Sequence, residues 1–289
     1  MQRVRIAELI IDMVNTDTAF FEHRLQAYRD DVTGDADLKI RFTTPDSLEL
    51  PVGETVECNE RLRVVTLADG RRCRCLRGTK TGKVLQTITC NTDYTVADIC
   101  VPTDRQHPTL SLTDFEYMFT GLVFSDRLTK LGGMVLHGSS LAFDGNGLIF
   151  SAPSGTGKST HAGLWRERYG DRVVTINDDK PAIRFDENGQ PIVYGTPWSG
   201  KTELNTNTSA PLRAIVFLER QPENAIRRLS PTESLLYMGR ELALPYHDET
   251  LCETLWDTAA RLVQSVPVFL LSCNISQEAV SLVREAVGI

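Results

Sequence analysis

The stretch Leu148-Ile149-Phe150-Ser151-Ala152-Pro153-Ser154-Gly155-Thr156-Gly157-Lys158-Ser159-Thr160 decides the fold, because it reads as an apolar strand, a glycine-bearing loop and the start of a helix. In such a loop the glycines let backbone N–H groups turn inward around a polyphosphate, and the helix N-terminus adds partial positive charge. The sequence therefore predicts a phosphate-binding loop, in which Lys158 reaches the β and γ phosphates of a nucleotide and Ser159 ligates Mg²⁺. The usual pattern begins with glycine where this chain has Ala152, so this residue must avoid positive φ. The residues predicted to bind the phosphates are Ser154, Gly155, Thr156, Gly157, Lys158, Ser159 and Thr160.

Two adjacent carboxylates, Asp178 and Asp179, follow a β-branched strand predicted over 172–176. Layered α/β folds gather their active groups at the carboxyl ends of strands. One carboxylate would hold Mg²⁺, directly or through water, and the other would accept the proton of an attacking hydroxyl. The alternative is an ordinary Asn-Asp-Asp turn with no chemical role.

His137 and Lys201 are two further candidates for the site. His137 closes a strand that a hairpin joins to the strand before the loop, and this register would bring its imidazole beside Asp178 to tune or relay a proton. Lys201 ends the polar loop 196–201 and would reach the transferring phosphoryl group as a point charge. A histidine that only closes a strand is the structural alternative for His137.

The pattern of apolar residues divides the chain into a β-rich lobe over 1–108 and an alternating α/β domain over 109–289. Strands are predicted in the lobe at 5–14, 37–42, 61–67, 72–76, 84–90 and 94–101. A helix over 114–130 is predicted to begin at a capping box formed by Thr113 and Glu116 and to end at Gly132. Further strands are predicted at 135–143, 148–151, 172–176, 182–185, 192–195, 212–219 and 268–271, and helices at 160–169, 231–243, 249–264 and 276–287.

The charge balance excludes a strongly basic nucleic-acid-binding protein, because 31 Lys and Arg stand against 38 Asp and Glu and the formal net charge is −7. No apolar run approaches the roughly 18 residues that cross a bilayer, and the start of the chain does not resemble a signal peptide. The seven cysteines lack paired spacing, which is typical of a reducing compartment. We therefore expect a cytoplasmic protein whose partners include neither a nucleic acid nor a membrane.

Two features of the lobe have competing interpretations. Cys73-x-Cys75 lacks the two-residue spacer and the second ligand pair of a zinc site, so no metal is expected there. Eight basic residues between Arg61 and Lys83 form either the solvated face of a β-meander or a patch for an acidic or phosphorylated partner. The solvated face is favoured, because Arg72 and Arg74 alternate as outward-facing strand residues do.

The order of motifs resembles the HPr kinase/phosphorylase and phosphoenolpyruvate carboxykinase superfamily. The resemblance rests on His137-Gly138, a short strand pair, Gly-x-Gly-Lys-Ser and a strand ending in Asp178-Asp179, and it covers about residues 131 to 220. The stretch Gly195–Lys201 is similar to a branch of HPr-kinase-like proteins, some of them associated with peptide-modifying gene cassettes. The resemblance implies an α/β fold with a P-loop kinase core of this type, preceded here by the β-rich lobe.

The resemblance also assigns roles and partners. It implies ATP as the phosphate donor and Mg²⁺ as the metal, with Asp178 as general base toward a serine-like hydroxyl and His137 as its neighbour. Asp179 and Ser159 would serve Mg²⁺. A homo-oligomer is implied as well, and Trp198 and the apolar helix 249–264 are its candidate interface.

The chain departs from the superfamily pattern at several positions. Thr160 replaces the glutamate that follows Gly-Lys-Ser in HPr kinases, and their Glu-x-Arg-Gly segment is not found, although Glu203 near Lys201 is a candidate substitute. The N-terminal half does not resemble theirs, so HPr is not the expected acceptor. The chain also lacks the extra substrate region of phosphoenolpyruvate carboxykinases, so decarboxylation is not expected.

These observations favour an ATP- and Mg²⁺-dependent kinase that transfers the γ-phosphate to a hydroxyl of a small molecule or of a serine in a peptide or protein. Asp178, His137, Lys158 and Lys201 are the predicted catalytic residues. Two alternatives stay open: a nucleotide-binding regulatory module without turnover, and a phosphorylase-type enzyme that uses pyrophosphate or inorganic phosphate. The intact acidic pair favours an enzyme, because sensing needs no base.

Overall fold

The computed structural model describes the backbone of all 289 residues and every side chain except that of Glu57. Internal contacts divide the chain into two compact units, Met1–Leu131 with Pro245–Cys252, and Gly132–Leu244 with Glu253–Ile289. The helix predicted over 114–130, which the predicted boundary places in the second domain, therefore makes most of its contacts within the first unit. The domain boundary at residue 108 stays a prediction. None of the helices in the described chain is long and apolar enough to cross a membrane.

The first unit is built on one mixed sheet of eight strands. Its elements are β1 (Gln2–Ile6), β2 (Leu9–Val14), α1 (Thr18–Leu25), β3 (Leu38–Thr43), β4 (Glu54–Glu57), β5 (Leu62–Thr66), β6 (Arg72–Arg77), β7 (Val84–Cys90), β8 (Val96–Cys100) and α2 (Leu112–Lys130). The strands lie in the order β1-β2-β3-β8-β7-β6-β5-β4. In β3, Leu38, Ile40 and Phe42 are buried and their neighbours are exposed, as expected of a strand with one covered face.

Helix α2 begins at Leu112, two residues before its predicted start. The Ser111 hydroxyl accepts from the Asp114 backbone N–H, and the Asp114 carboxylate accepts from the Ser111 N–H. The capping box is therefore formed by Ser111 and Asp114, and the predicted pairing of Thr113 with Glu116 is wrong. A serine three positions before an acid satisfies the same pattern, so Thr113 lies inside the helix.

The predicted outward orientation of Arg74 is wrong, whereas Arg72 is exposed as expected. Arg74 is 8% exposed and forms an ion pair with Asp126 of α2, and a guanidinium nitrogen lies 3.2 Å from His247 Nδ1. The neighbouring residues Cys73 and Cys75 on the other face of β6 are buried too. The strand is therefore covered on both faces at this point, and an alternating pattern alone does not reveal a second covering layer.

We expect Asp126→Ala to destabilise the chain by about 3–5 kcal/mol, because it leaves the Arg74 charge buried without its partner. The measurement is chemical denaturation of the full chain. Asp104→Ala is the control, since the side chains of both Lys83 and Asp104 are exposed and such ion pairs contribute at most about 1 kcal/mol. Equal losses in the two variants would contradict a structural role for the buried pair.

The second unit is a layered α/β arrangement. Its elements are β9 (Met134–Val135), β10 (Gly138–Phe143), β11 (Asn146–Ser151), α3 (Lys158–Tyr169), β12 (Val173–Asn177), β13 (Ala182–Phe185), β14 (Pro191–Tyr194), β15 (Ser209–Arg220), β16 (Ala225–Arg228), α4 (Pro231–Gly239), α5 (Glu249–Ser265, which the first unit shares), β17 (Val268–Cys273) and α6 (Gln277–Val287). Core residues of α3 and α6 pack on one side of the sheet, and those of α4 and α5 pack in a second cluster. The expected mixed α/β class is confirmed, and the P-loop kinase core stays a prediction.

The order of strands places the loops that follow β11, β15 and β17 at one edge of the sheet. β11 pairs with β10 antiparallel and with β15 parallel, and β15 pairs in parallel with β17. The carboxyl ends of β11, β15 and β17 therefore point the same way, toward the edge where such sheets bind ligands. β10 also pairs with β12, which brings the end of β12 to the neighbourhood of the strand pair.

Candidate functional site

The predicted phosphate loop connects β11 to α3 within the second unit. Gly155 has φ +81° and Gly157, the N-cap of α3, has φ +117°, conformations that glycine adopts without steric cost. Ala152 is not among the residues with positive φ, as its side chain requires. Ser159 and Thr160 are exposed on the first turn of the helix. The loop therefore offers open hydroxyls beside a helix N-terminus.

Lys158 starts α3 but folds back over the loop. It is 7% exposed, and its ammonium donates to the Ala152 carbonyl at 2.8 Å. Burial lowers the pKa of Lys158, while the charges of Glu241 and Asp179 act in the opposite direction. The lysine is thus a desolvated cation held by a backbone oxygen, and the carboxylates of Glu241 and Asp179 act on it only through their charge.

Arg220, at the end of β15, supports the loop from the neighbouring strand. Its guanidinium donates to the carbonyls of Gly155 at 2.6 Å and Thr156 at 2.8 Å. These two bonds hold the loop carbonyls to the end of β15. Sequence reasoning missed this residue, although its position directly after the strand predicted at 212–219 was a usable signal.

Asp178 is buried, and one of its two carboxylate oxygens, Oδ2, has no hydrogen-bond partner among the described residues. It is 6% exposed, Ser139 donates its hydroxyl to Oδ1 at 2.6 Å, and the backbone N–H donates to the Leu204 carbonyl. The Oδ2 atom is itself buried. A buried acceptor of this kind is costly unless a donor arrives, and a hydroxyl is one such donor.

His137 contacts Asp179 and Glu241, and not Asp178 as predicted. Its Nε2 lies 3.3 Å from Asp179 Oδ1, and its Nδ1 lies 2.7 Å from Glu241 Oε2. Burial would raise the pKa of Asp179, but the hydrogen bond from His137 and nearby lysines lower it overall. The reason for the difference is register: Gly138 bonds to the Asp179 carbonyl, so the next residue along β10, Ser139, faces Asp178.

Asn177 fixes the acidic pair and the loop beyond it. Its side-chain oxygen accepts from the backbone N–H groups of Asp179 at 2.8 Å and Lys180 at 2.6 Å, and its amide donates to the Thr196 carbonyl at 2.7 Å. The Asn-Asp-Asp turn is therefore present, and the two carboxylates are positioned by it. A turn and a functional pair are not alternatives at this position.

The loop at 196–201 closes over Asp179 without bringing Lys201 to a carboxylate. Gly200 has φ +64°, and a Cβ added there would lie 3.2 Å from Asp179 Cβ and Cγ. Lys201 is exposed and has no ion pair within the described chain. Trp198, predicted at an interface, is 5% exposed and belongs to the interior instead. The loop is held to the acidic turn by Thr196, whose hydroxyl accepts from the Asn177 amide at 3.1 Å and donates to the Lys180 carbonyl at 2.7 Å.

Two cavities border the predicted phosphate loop. The first, here called the Glu241 cavity, has a volume of about 480 Å³ and is lined by the loop, Glu219, Tyr237, Arg240 and Glu241. The second, here called the Ile275 cavity, has a volume of about 510 Å³ and lies between α3 and the loops after β15 and β17. Both volumes fall in the range of roughly 300–1,000 Å³ that small-molecule sites occupy.

The described residues contain no group of three or more His, Cys, Asp or Glu that could hold a metal ion by themselves. All seven cysteines are free thiols, including Cys73 and Cys75. A divalent cation beside Ser159 and Asp179 would therefore need oxygens of a bound ligand to complete its coordination. This is the usual case for Mg²⁺ at nucleotide sites, because Mg²⁺ takes few protein ligands and shares substrate phosphates.

His161, on the face of α3 next to the loop, is a buried structural residue. It packs against Phe150 with ring centroids 4.6 Å apart, and Trp165 donates to its Nε2 at 3.4 Å. Burial lowers the pKa of His161 to about 4. The folded chain therefore keeps this imidazole neutral in a pH range where the unfolded chain protonates it.

Stability should consequently fall as the pH drops below 6.5, because unfolding takes up a proton at His161 until the folded pKa near 4 is reached. From pH 7.5 to 5.0 this amounts to about 2 kcal/mol. We expect His161→Gln to reduce the pH-dependent loss by that amount in urea denaturation. His107→Gln, at an exposed position, is the control, and an unchanged pH dependence in His161→Gln would contradict the assignment.

Comparison with known proteins adds a family and one structural likeness. The family model described as SynChlorMet cassette protein ScmC matches residues 99–286. The structure of the Hpr(Ser) kinase/phosphatase from Coxiella burnetii covers 53% of this chain and 95% of its own, with 12% identity and a TM-score of 0.32. No curated protein matches the chain.

Proposed function

The chain belongs to the SynChlorMet cassette protein ScmC family, and for this member we propose an ATP- and Mg²⁺-dependent kinase that phosphorylates a hydroxyl group. The observation that carries the proposal is the Oδ2 atom of Asp178, which is buried and has no hydrogen-bond partner among the described residues. The charge of Asp178 also acts on Lys158 of the loop. A carboxylate kept without a donor costs free energy in the folded chain. That cost is understandable where the missing donor is a substrate hydroxyl.

The residues of the site fit a nucleotide and its metal. The open turns at Gly155 and Gly157 and the exposed hydroxyls of Ser159 and Thr160 would hold phosphate oxygens, and Ser159 with Asp179 would hold Mg²⁺. Magnesium-bound ATP supplies the phosphoryl group and part of the charge compensation. Phosphoryl transfer otherwise asks the protein mainly for positioning and electrostatic stabilisation.

Each side chain then has a separate task. Asp178 accepts the proton of the acceptor hydroxyl at Oδ2, while Ser139 holds the other oxygen and so fixes the plane of the carboxylate. Lys158 exchanges its bond to the Ala152 carbonyl for phosphate oxygens. His137 ties Asp179 to Glu241 and keeps the metal-binding carboxylate in place.

The Glu241 cavity is the proposed acceptor pocket. It joins the phosphate loop to Glu241, the partner of His137, and Tyr237 and Arg240 form its outer wall. A small molecule or the serine of a peptide would enter here and extend past Glu241 and His137 toward Asp178, which is not part of the cavity lining. Lys201, exposed at the rim of the neighbouring loop, is proposed to act only on bound phosphate, as a point charge.

The test is transfer of γ-labelled phosphate from ATP in the presence of Mg²⁺. Serine peptides, amino acids and sugars serve as acceptors, and mass spectrometry locates the phosphate. We expect ADP release matched by phosphorylation of a hydroxyl. Nucleotide binding without any transfer would favour the regulatory module, and formation of product only with pyrophosphate or inorganic phosphate would favour the phosphorylase-type reaction.

A further inference from the structure

We propose that the Ile275 cavity binds the base and ribose of the nucleotide, so that the nucleoside lies on the α3 side of the phosphate loop and the acceptor on the other. This inference rests on the proposed function and adds to it the part of the site that the sequence motifs do not define. The phosphate loop is recognisable from its glycines and lysine, whereas contacts to the base have no comparable signature.

The strand order places the cavity where a nucleoside attached to the loop would extend. β15 runs parallel to β11, with Val216 paired to Phe150, and β17 runs parallel to β15, with Phe269 paired to Val216. The segments after β15 and β17 therefore emerge at the same edge as the phosphate loop. They form one wall of the cavity, and the first turns of α3 form the opposite wall.

The phosphate loop and the cavity are continuous. Thr156, Gly157 and Thr160 line the cavity directly, so a nucleotide bound at the loop needs no further path to reach it. Arg220 lines both cavities and bonds to the carbonyls of Gly155 and Thr156, which makes it the partition between them. A ligand with a phosphate end and a nucleoside end matches this geometry.

The two loops of the cavity wall are locked to each other. The Asn274 backbone N–H donates to Asn224 Oδ1 at 3.0 Å, and its side-chain amide donates to the Pro222 carbonyl at 2.7 Å. The Asn224 amide in turn donates to Ser276 Oγ at 3.0 Å and to Glu278 Oε2 at 2.6 Å. The wall is thus preorganised, which reduces the entropy cost of binding.

Ile275 is presented by this fixed wall with 77% of its surface exposed. Leu164, Leu218 and Pro222 add apolar surface to the same cavity. An apolar side chain held in water beside an apolar cavity suits the flat face of a nucleobase, whose burial would remove both surfaces from water. The apolar side chains of the wall therefore fit the aromatic end of a nucleotide, and the charged lining residues Glu219 and Arg220 are shared with the Glu241 cavity.

The test compares two ligands that share the phosphate chain and differ in the nucleoside. Calorimetry measures the Kd of Mg²⁺-ATP and of Mg²⁺ tripolyphosphate for the unaltered chain, Ile275→Ala and Ile275→Leu. We expect Ile275→Ala to raise the Kd of ATP by about tenfold, because alanine leaves much less apolar surface for the base to cover. Tripolyphosphate should bind with unchanged Kd, and Ile275→Leu should resemble the unaltered chain. Leu236→Ala is the control, because Leu236 is 63% exposed and lines neither cavity.

The outcomes separate this inference from the proposed function. Unchanged ATP affinity in Ile275→Ala would overturn the base site and leave nucleotide binding at the loop intact. Equal weakening of both ligands would also overturn it, because Ile275 would then act through the loop and not through the nucleoside. An unaltered chain that binds neither ligand would overturn the proposed function and this inference together.

Discussion

Replacing Asp178 with asparagine is expected to lower phosphoryl transfer by about 10²–10⁴-fold, the usual contribution of a positioned general base. Asparagine keeps the volume of the side chain and an oxygen that accepts from the Ser139 hydroxyl at the position of Oδ1. It removes the proton acceptor at Oδ2, the oxygen that has no partner among the described residues. The affinity for ATP should stay the same, because Asp178 is not among the residues proposed to hold the phosphates.

The measurement is the rate of label transfer at saturating ATP, with the Kd of ATP determined separately. Asp144→Asn is the matched control, since Asp144 is an exposed partner of Arg172 in the same unit. Full transfer by Asp178→Asn would refute the assignment of the base and direct attention to Asp179 or Glu241. A loss of folding, checked by thermal denaturation, would be a different result, and we do not expect it because the substitution removes a buried charge.

The conformation of the strand–loop–helix segment that is predicted to bind phosphate could be foreseen from the sequence, because it depends on consecutive residues. A strand, glycines with positive φ and a helix start are consecutive in the chain, and Gly155 and Gly157 adopt those conformations. Ala152 has no positive φ, as its replacement of glycine demanded. The adjacency of Asp178 and Asp179 at the end of a strand was readable for the same reason.

Contacts across the sheet could not be predicted, because they depend on register. The register between β10 and β12 decides whether His137 or Ser139, two positions apart, faces Asp178, and the sequence does not encode that register locally. Glu241 is remote in sequence from its partner His137, and Arg220 is remote from the loop carbonyl that it binds. The buried Arg74 was missed similarly, since its partner lies on a helix 52 residues away.

Replacing Lys158 with alanine is expected to lower phosphoryl transfer by at least about 10²–10³-fold, the range found when a preorganised donor is removed from a developing charge, and to weaken ATP binding as well. The lysine is 7% exposed and its ammonium bonds to a carbonyl that also belongs to the loop. Burial lowers its pKa, which means that its charged form is disfavoured in the free chain. Binding of a polyphosphate would raise the pKa of Lys158 again, because the phosphate oxygens would place negative charge in direct contact with the buried ammonium.

The same reasoning predicts the stability of the variant. Because the charge of Lys158 is desolvated and bonded to a single described oxygen, Lys158→Ala should unfold at the same denaturant concentration as the unaltered chain, or a higher one. Lys80→Ala, at an exposed position in the first unit, is the control for removing a lysine. Loss of ATP binding with unchanged stability would place Lys158 in the nucleotide site. A parallel loss of ATP binding and stability would mean that Lys158 serves only to hold the loop. The cations that contact the nucleotide phosphates would then have to be sought at Arg220 and Arg240.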